Sequence, residues 1–145
     1  DTLPYKLESG TPNTVGIVGL RTGIEFCIKE SIDKIRQHER KLAMRLINEF
    51  DSDDRFEIYG SIDEGRKVGI VSINIKRIEP GEVAAILDNS FAIAVRSGMH
   101  CAPYVHRESG TFPQGMVRIS PGYFNTIDEI EETIVSLKEI AGSVC

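Results

Sequence analysis

Apolar residues recur at helical spacing through the first third of the chain. Val15, Val18, Ile24 and Ile28 begin the series, and Ile32, Ile35, Leu42, Leu46 and Phe50 continue it. Steps of roughly three or four residues turn one helix face toward a core. They predict one or two long helices that end near "DSDD" at 51–54. The lead-in "ESGTPNTVG" reads as a loop feeding the first helix. Thr11 is the expected N-cap and Pro12 the first helical residue, where a missing N–H is tolerated. Gly16, Gly19 and Gly23 weaken the helix propensity of this stretch.

The middle of the chain changes to a period of two. "RFEIYG" (55–60) and "KVGIVSINI" (67–75) read as strands joined by the turn-rich "SIDEGR", and Val71, Ile73 and Ile75 alternate with Ser72 and Asn74. Pro80 opens a short helix, "PGEVAAILDN". "FAIAVR" (91–96) reads as a strand with Phe91, Ile93 and Val95 on one face and Ala92, Ala94 and Arg96 on the other. "GMVRIS" (115–120) is the next, with Val117 and Ile119 facing away from Arg118. The final stretch, "NTIDEIEETIVSLKEIAG", carries a capping box from Thr126 and Glu129. Its apolar stripe is Ile127, Ile130, Ile134, Leu137 and Ala141. No internal repeat, low-complexity segment or linker interrupts the pattern. These elements predict an α/β fold, one domain over 1–145, with about four strands flanked by long helices.

Composition narrows the class. At 145 residues, 41% hydrophobic and 27% charged, the chain is long enough to bury one core. Its 17 basic and 22 acidic residues give a net charge of -5, and no dense basic block appears, so no nucleic-acid partner is expected. No apolar run reaches membrane-spanning length, and "DTLPYKLESG" has neither the basic end nor the apolar run of a signal peptide. The cysteines are Cys27, Cys101 and Cys145, too few and odd in number for a disulfide framework. A reducing, cytoplasmic setting is expected, with Cys27 packed in its helix and Cys145 a terminal thiol.

The candidate chemistry lies in "AVRSGMHCAPYVHRESGTFPQGMVRIS", from Ala94 to Ser120. Cys101 sits among Gly98, Met99, His100, Ala102 and Pro103, a setting typical of loops, where reactive residues concentrate. Two readings stand for it, an inert buried thiol and a nucleophile. Metal binding by Cys101, His100 and His106 is not expected, because a zinc site needs three or four protein ligands and no matching pair occurs. His106 then reads as a solvated loop residue. Arg96 shares its face with two alanines, a covered setting in which an arginine needs an anion, and Arg118 lies within a strand. Guanidinium groups grip carboxylates in bidentate fashion. Two of them near one thiol point to a small acidic, thiol-reactive substrate such as an amino acid. Gly10 and Thr11, before the first helix, make a candidate phosphate site.

Three segments together resemble one family. "RSGMHCAP" resembles the active-site loop of the class V aminotransferases that act as cysteine desulfurases, akin to the group II members and the selenocysteine lyases. "ESGTPNTVGIVGL" is similar to that family's approach to its interdomain helix, and "VRISPGYFNTIDEIEETI" to its last strand and helix. The resemblance runs from about Tyr5 to Gly142. It implies the small C-terminal domain of a fold-type I enzyme dependent on pyridoxal phosphate (PLP). Cys101 would take sulfur from L-cysteine as an enzyme persulfide, releasing L-alanine. Arg118 would hold the substrate carboxylate, with Arg96 and His100 beside the thiol. Gly10 and Thr11 would meet the phosphate of the other subunit's PLP in a homodimer, and a sulfur-acceptor protein is the expected further partner.

Two departures from the family pattern matter. Met99 stands where many group II members carry a second histidine, and methionine moves no protons. The lysines, Lys6, Lys29, Lys34, Lys41, Lys67, Lys76 and Lys138, include none in a serine/histidine-rich motif of the kind that carries the cofactor. The chain is therefore expected to be the C-terminal part of a longer enzyme, inactive by itself. Selenocysteine lyase, another class V reaction, and a free-standing persulfide carrier or interaction module are the alternative readings.

Overall fold

The computed structural model describes residues 2–7 and 10–143. Cys145, expected as a terminal thiol, lies outside them, as do Glu8 and Ser9 of the lead-in segment. The chain divides into two compact units, residues 1–35 and 36–145.

The first unit is dominated by helix α1, Thr14–Glu30. Its start corrects the sequence expectation. Asn13 is the N-cap, and its side chain accepts the Gly16 N–H at 2.9 Å. Thr11 and Pro12 precede the helix. Asn and Thr are both good caps, and here the carboxamide two residues on takes the position. No residue of α1 is buried, and Val15, Ile17, Val18, Leu20, Ile24 and Ile28 are all exposed. Cys27 is half-buried. Helix α2, Ile32–Phe50, begins in this unit and continues into the second. The expected long helical stretch is thus two helices that part at Ser31.

The second unit is a four-stranded antiparallel sheet in the order β1-β2-β4-β3. Its strands are β1 (Phe56–Tyr59), β2 (Val71–Ile75), β3 (Arg96–Gly98) and β4 (Met116–Ile119). Helix α3 spans Pro80–Phe91, α4 Pro103–Glu108 and α5 Ile127–Gly142. Register follows the polar–apolar alternation. Ile73 pairs with both Ile58 and Val117, and Val71 with Ile119. One sheet face thereby presents Phe56, Val71, Ile73, Ile75, Val117 and Ile119 to Leu42, Leu46, Ile47 and Phe50 of α2, Val83 and Leu87 of α3, and Ile130, Ile134 and Leu137 of α5. Burying each such side chain contributes about 1.5–3 kcal/mol. Phe50 stacks on Phe56 with ring centroids 4.2 Å apart. Arg45 forks onto Glu131 at 2.6 and 2.8 Å, and Glu49 bridges Arg45 and Lys138, tying α2 to α5 at the rim. The Thr126–Glu129 capping box forms as expected.

The stretch 91–96 differs from its expected strand. Phe91 is the last residue of α3 and Ala92 is left-handed, with φ 54°. The Ile93 N–H closes the helix end on the Leu87 carbonyl at 3.0 Å. Phe91, Ile93 and Val95 do turn toward the core. The ladder begins only at Arg96, because the preceding residues complete a helix terminus. This terminus normally takes glycine, since a Cβ in the left-handed region is strained. Ala92→Gly is therefore expected to raise unfolding free energy by about 0.5–1 kcal/mol, read from the urea midpoint at unchanged m-value.

Candidate active site

The face of the sheet opposite the core is polar. Alternation places Ser72 and Asn74 of β2, Arg118 of β4 and Arg96 of β3 on it. Arg118 lies between its cross-strand partners Ser72 and Arg96. Two arginines side by side repel each other. Neither has a salt-bridge partner among the described residues, and Arg96, expected on a covered face with Ala92 and Ala94, is exposed as they are. The Nε of Arg118 is buried without any hydrogen-bond partner. Leaving such a donor unsatisfied costs about 1–3 kcal/mol. A carboxylate would accept from that donor and separate the two like charges at once.

The candidate thiol stands at the end of β3. Gly98 has φ 94°, and His100 and Cys101 follow with φ 49° and 60°, both left-handed. The Ala102 N–H closes the turn onto the Met99 carbonyl at 2.8 Å. Cys101 is exposed. The inert, buried reading of this thiol is therefore not what the structure displays. His100 Nε2 lies 3.2 Å from the Arg96 carbonyl oxygen. A carbonyl only accepts, so Nε2 carries the hydrogen and Nδ1 is the lone-pair nitrogen. Burial lowers the His100 pKa below its ordinary 6.5, the bond to the Arg96 carbonyl opposes this, and the charges of Arg118, Arg96 and His106 lower it further. The neutral form of His100 is thereby favoured.

Behind the thiol lies a helix that periodicity missed. Six residues are too few to show a stripe, but Pro103 at the first helical position is a start signal for α4. Its His106 is not a solvated loop residue, as expected from sequence, but 2% exposed. The reason is local: Nδ1 of His106 meets the Thr111 hydroxyl at 2.8 Å, and the Thr111 N–H donates to the His106 carbonyl at 2.9 Å. The His106 ring centroid is 6.0 Å from that of His100. The chain then passes from Thr111 to Gly115, whose N–H donates to the Thr111 carbonyl at 2.7 Å. Asn74 fastens this point to the sheet. Its Nδ2 donates to the Gly115 carbonyl at 3.1 Å, and its Oδ1 accepts from the Val117 N–H at 3.3 Å. The amide of Asn74 thus stands in for a strand peptide beyond the last β2–β4 pair. Asn74 and Thr111 were not picked out from sequence, and His106 was weighed only as a metal ligand and assigned to solvent. Only the placement of Asn74 on the polar face of β2 hinted at a role.

Of the expected site residues, Arg96 and Arg118 stand opposite each other on β3 and β4, His100 bonds the Arg96 carbonyl and feels both charges, and Cys101 follows His100 in the loop. Gly10 and Thr11 lie in the first unit and are exposed. Lys67, the one buried lysine among the described residues, has its amine pushed below the ordinary lysine range by burial. It precedes Val71, which pairs with Ile119, so it sits at the other end of β4 from the thiol loop.

Three comparisons bear on this arrangement. The aminotransferase class-V family profile matches residues 1–133. Probable cysteine desulfurases of Methanothermobacter thermautotrophicus and Pyrococcus abyssi are each 38% identical over 143 residues, 98% and 97% of this chain but 35% and 34% of their own length. The chain thus spans about a third of the length of these curated relatives. The apo cysteine desulfurase of Thermococcus onnurineus superposes with a TM-score of 0.88 at 34% identity, over 97% of this chain and 34% of that one. The Escherichia coli desulfurase CsdA shares the fold, with a TM-score of 0.84 at 22% identity, over 99% of this chain and 34% of that one.

The close contact at the base of the loop makes a prediction. A Cβ at Gly115, where φ is 86°, would lie 2.2 Å from the Gly98 carbonyl carbon. Gly115→Ala is expected to force β3 from β4 and cost at least ~2 kcal/mol in urea unfolding. The rate of Cys101 alkylation should change with it. An unchanged midpoint would show that the two strands separate freely at this point.

Proposed function

This chain belongs to the class-V aminotransferase family, and on that premise we propose that it forms the small C-terminal domain of a PLP-dependent cysteine desulfurase. The observation that carries the reading is an exposed, loop-borne thiol next to His100, whose ring feels the charge of Arg118, an arginine with a buried and unpartnered Nε. The thiol suits attack on sulfur and the arginine suits an amino-acid carboxylate. The curated relatives, named as cysteine desulfurases, supply the reaction class.

Arg118 receives the carboxylate of L-cysteine through its orphaned donor, and Arg96 adds positive potential from the adjacent strand. With the carboxylate anchored, the substrate sulfur is directed toward the thiol loop. Cys101 attacks it as thiolate. An S–S bond forms on Cys101, the substrate Cβ–S bond breaks, and the carbon takes up a proton to leave L-alanine and an enzyme persulfide. His100, its neutral form favoured and its Nε2 engaged by the Arg96 carbonyl, offers Nδ1 as a proton acceptor in the thiol loop.

The residues present fit the amino-acid end of a PLP site. Arg118 answers the carboxylate, while Gly10 and Thr11, exposed before α1, would hold the phosphate of the partner subunit's cofactor in a homodimer. No lysine of this chain lies in a matching motif, so the cofactor's covalent anchor is assigned to a part of the protein outside these residues. When bound, PLP supplies the electron sink that weakens bonds at the substrate's α- and β-carbons. By itself this chain releases no sulfide. A sulfur-acceptor protein collects the persulfide, and a cytoplasmic location fits a thiol that must stay reduced. Among the described residues, no helix is long and apolar enough to cross a membrane.

The test uses the full-length protein. Cys101→Ala is expected to retain the yellow cofactor colour while sulfide release from L-cysteine falls by at least ~100-fold. Arg118→Lys should raise the KM for cysteine by roughly 10- to 100-fold, the worth of a charge-assisted bidentate grip. Normal sulfide release from Cys101→Ala would sink the desulfurase assignment and leave only kinship of fold.

A further inference from the structure

His106 is a titratable side chain that the proposed reaction does not use, yet it is 2% exposed and lies directly behind the thiol loop. A buried histidine needs partners for its ring nitrogens. Its Nδ1 has one, the Thr111 hydroxyl at 2.8 Å, and Thr111 is itself buried and bonded back to the His106 carbonyl. The ring is therefore fixed from below by its own helix end. Above it lies His100, ring centroid to ring centroid 6.0 Å, tilted by 56°. His100 is held at one further point only, Nε2 to the Arg96 carbonyl at 3.2 Å. Its backbone is left-handed, at φ 49°, a conformation that persists only where surroundings enforce it.

We propose that His106, locked by Thr111, is a positioning residue that packs beneath His100 and holds it as the neutral Nε2–H tautomer, leaving Nδ1 as the free base next to Cys101. Without that floor the His100 ring is free to turn about its side-chain bonds and lose the Arg96 carbonyl. The groups that face His100 are Arg96 from β3, Arg118 from β4 and His106 from α4. All are cationic or become so on protonation, and none is an acid. Their fields oppose a second proton on His100, in the same sense as its burial. Sign follows directly. A histidine whose folded pKa lies below its unfolded value keeps its neutral form stabilising at neutral pH, and that contribution is lost as pH falls through the unfolded value.

The proposal deepens the desulfurase reading, since it assigns a support to that reading's thiol loop. Its readout is the His100 ring, so the two fail separately. The experiment follows the ring nitrogens of the three histidines by long-range ¹H–¹⁵N spectra of the 145-residue chain across pH 4.5–8.5, with Cys101 alkylation by iodoacetamide measured in parallel. In the parent chain His100 is expected as the Nε2–H tautomer, with a midpoint below 6.5, and the alkylation profile should inflect at that midpoint. Thr111→Val, which removes the lock, and His106→Phe, which keeps a ring but cannot be locked, should each produce mixed tautomers. Each should also move the midpoint up toward 6.5, and the alkylation inflection should follow. Thr111→Ser should restore the parent behaviour, which a general loss of packing would not explain. Parent-like His100 spectra in Thr111→Val and His106→Phe would overturn the proposal. Should both variants fail to fold, the parent chain still decides: an Nδ1–H tautomer, or a midpoint at or above 6.5, refutes it.

Discussion

Between Gly115 and Gly98 the backbones approach so closely that a Cβ at 115 would stand 2.2 Å from a carbonyl carbon. Strand β3 is only three residues long and sits at the sheet edge, where pairing has little to hold it. Both glycines have positive φ, which lets the chain turn out of β3 and into β4 at one level. Asn74 completes the joint, because its amide pairs with Gly115 and Val117 where the β2–β4 ladder has ended. From this joint the thiol loop leaves and the arginine strand begins. The spacing of the thiol loop and the Arg118 strand is set by backbone contact rather than by long side chains, which is how a loop acquires the precision of a sheet.

The same joint places Arg96 opposite Arg118. In an isolated sheet this is an unfavourable pair, and it occurs in a chain that carries an excess of acid, 22 residues against 17. One of those acids, Glu57, shares this face but lies two strands away on β1 and accepts from the Tyr59 hydroxyl. Glu49 and Glu131 neutralise Arg45 on the helical side, and Asp53 pairs with Arg55 ahead of β1. The polar face near β4 is left with local positive potential that no fold-stabilising partner consumes. Arrangements of this kind lower stability and are retained where a ligand supplies the missing charge.

Much of this was legible in the sequence, for identifiable reasons. Helices α2 and α5 and the alternating strands announce themselves because burial imposes a period, whereas the apolar stripe read for α1 is exposed, and the Thr126–Glu129 box is readable because capping is a local interaction. Sequence also singled out Cys101, His100, Arg96 and Arg118, since a thiol among glycine and proline with flanking arginines departs from ordinary strand chemistry. The misses are places where tertiary context overrode a local signal. Ala92 terminates α3 in a conformation alanine disfavours, so the strand was expected five residues early. Asn13 displaced Thr11 as the cap because both suit the role. His106 was assigned to solvent because six helical residues carry no period, and because Thr111, its partner, becomes a partner only once α4 has formed.

His106 also explains why a left-handed pair can stand at a chemically demanding point. Two successive non-glycine residues with positive φ, His100 and Cys101, are costly for a free loop. Glycine at either position would relieve the strain but would remove the imidazole or the thiol. The alternative is to enforce the conformation from outside. The Met99 turn closes the loop in front, α4 begins immediately behind it at Pro103, and the buried His106–Thr111 pair fills the space beneath. Strain in the loop and burial in the helix are thus two sides of one arrangement: the short helix exists to be packed against, and the exposed thiol is ordered because a buried polar pair, rather than solvent, lies under its neighbour.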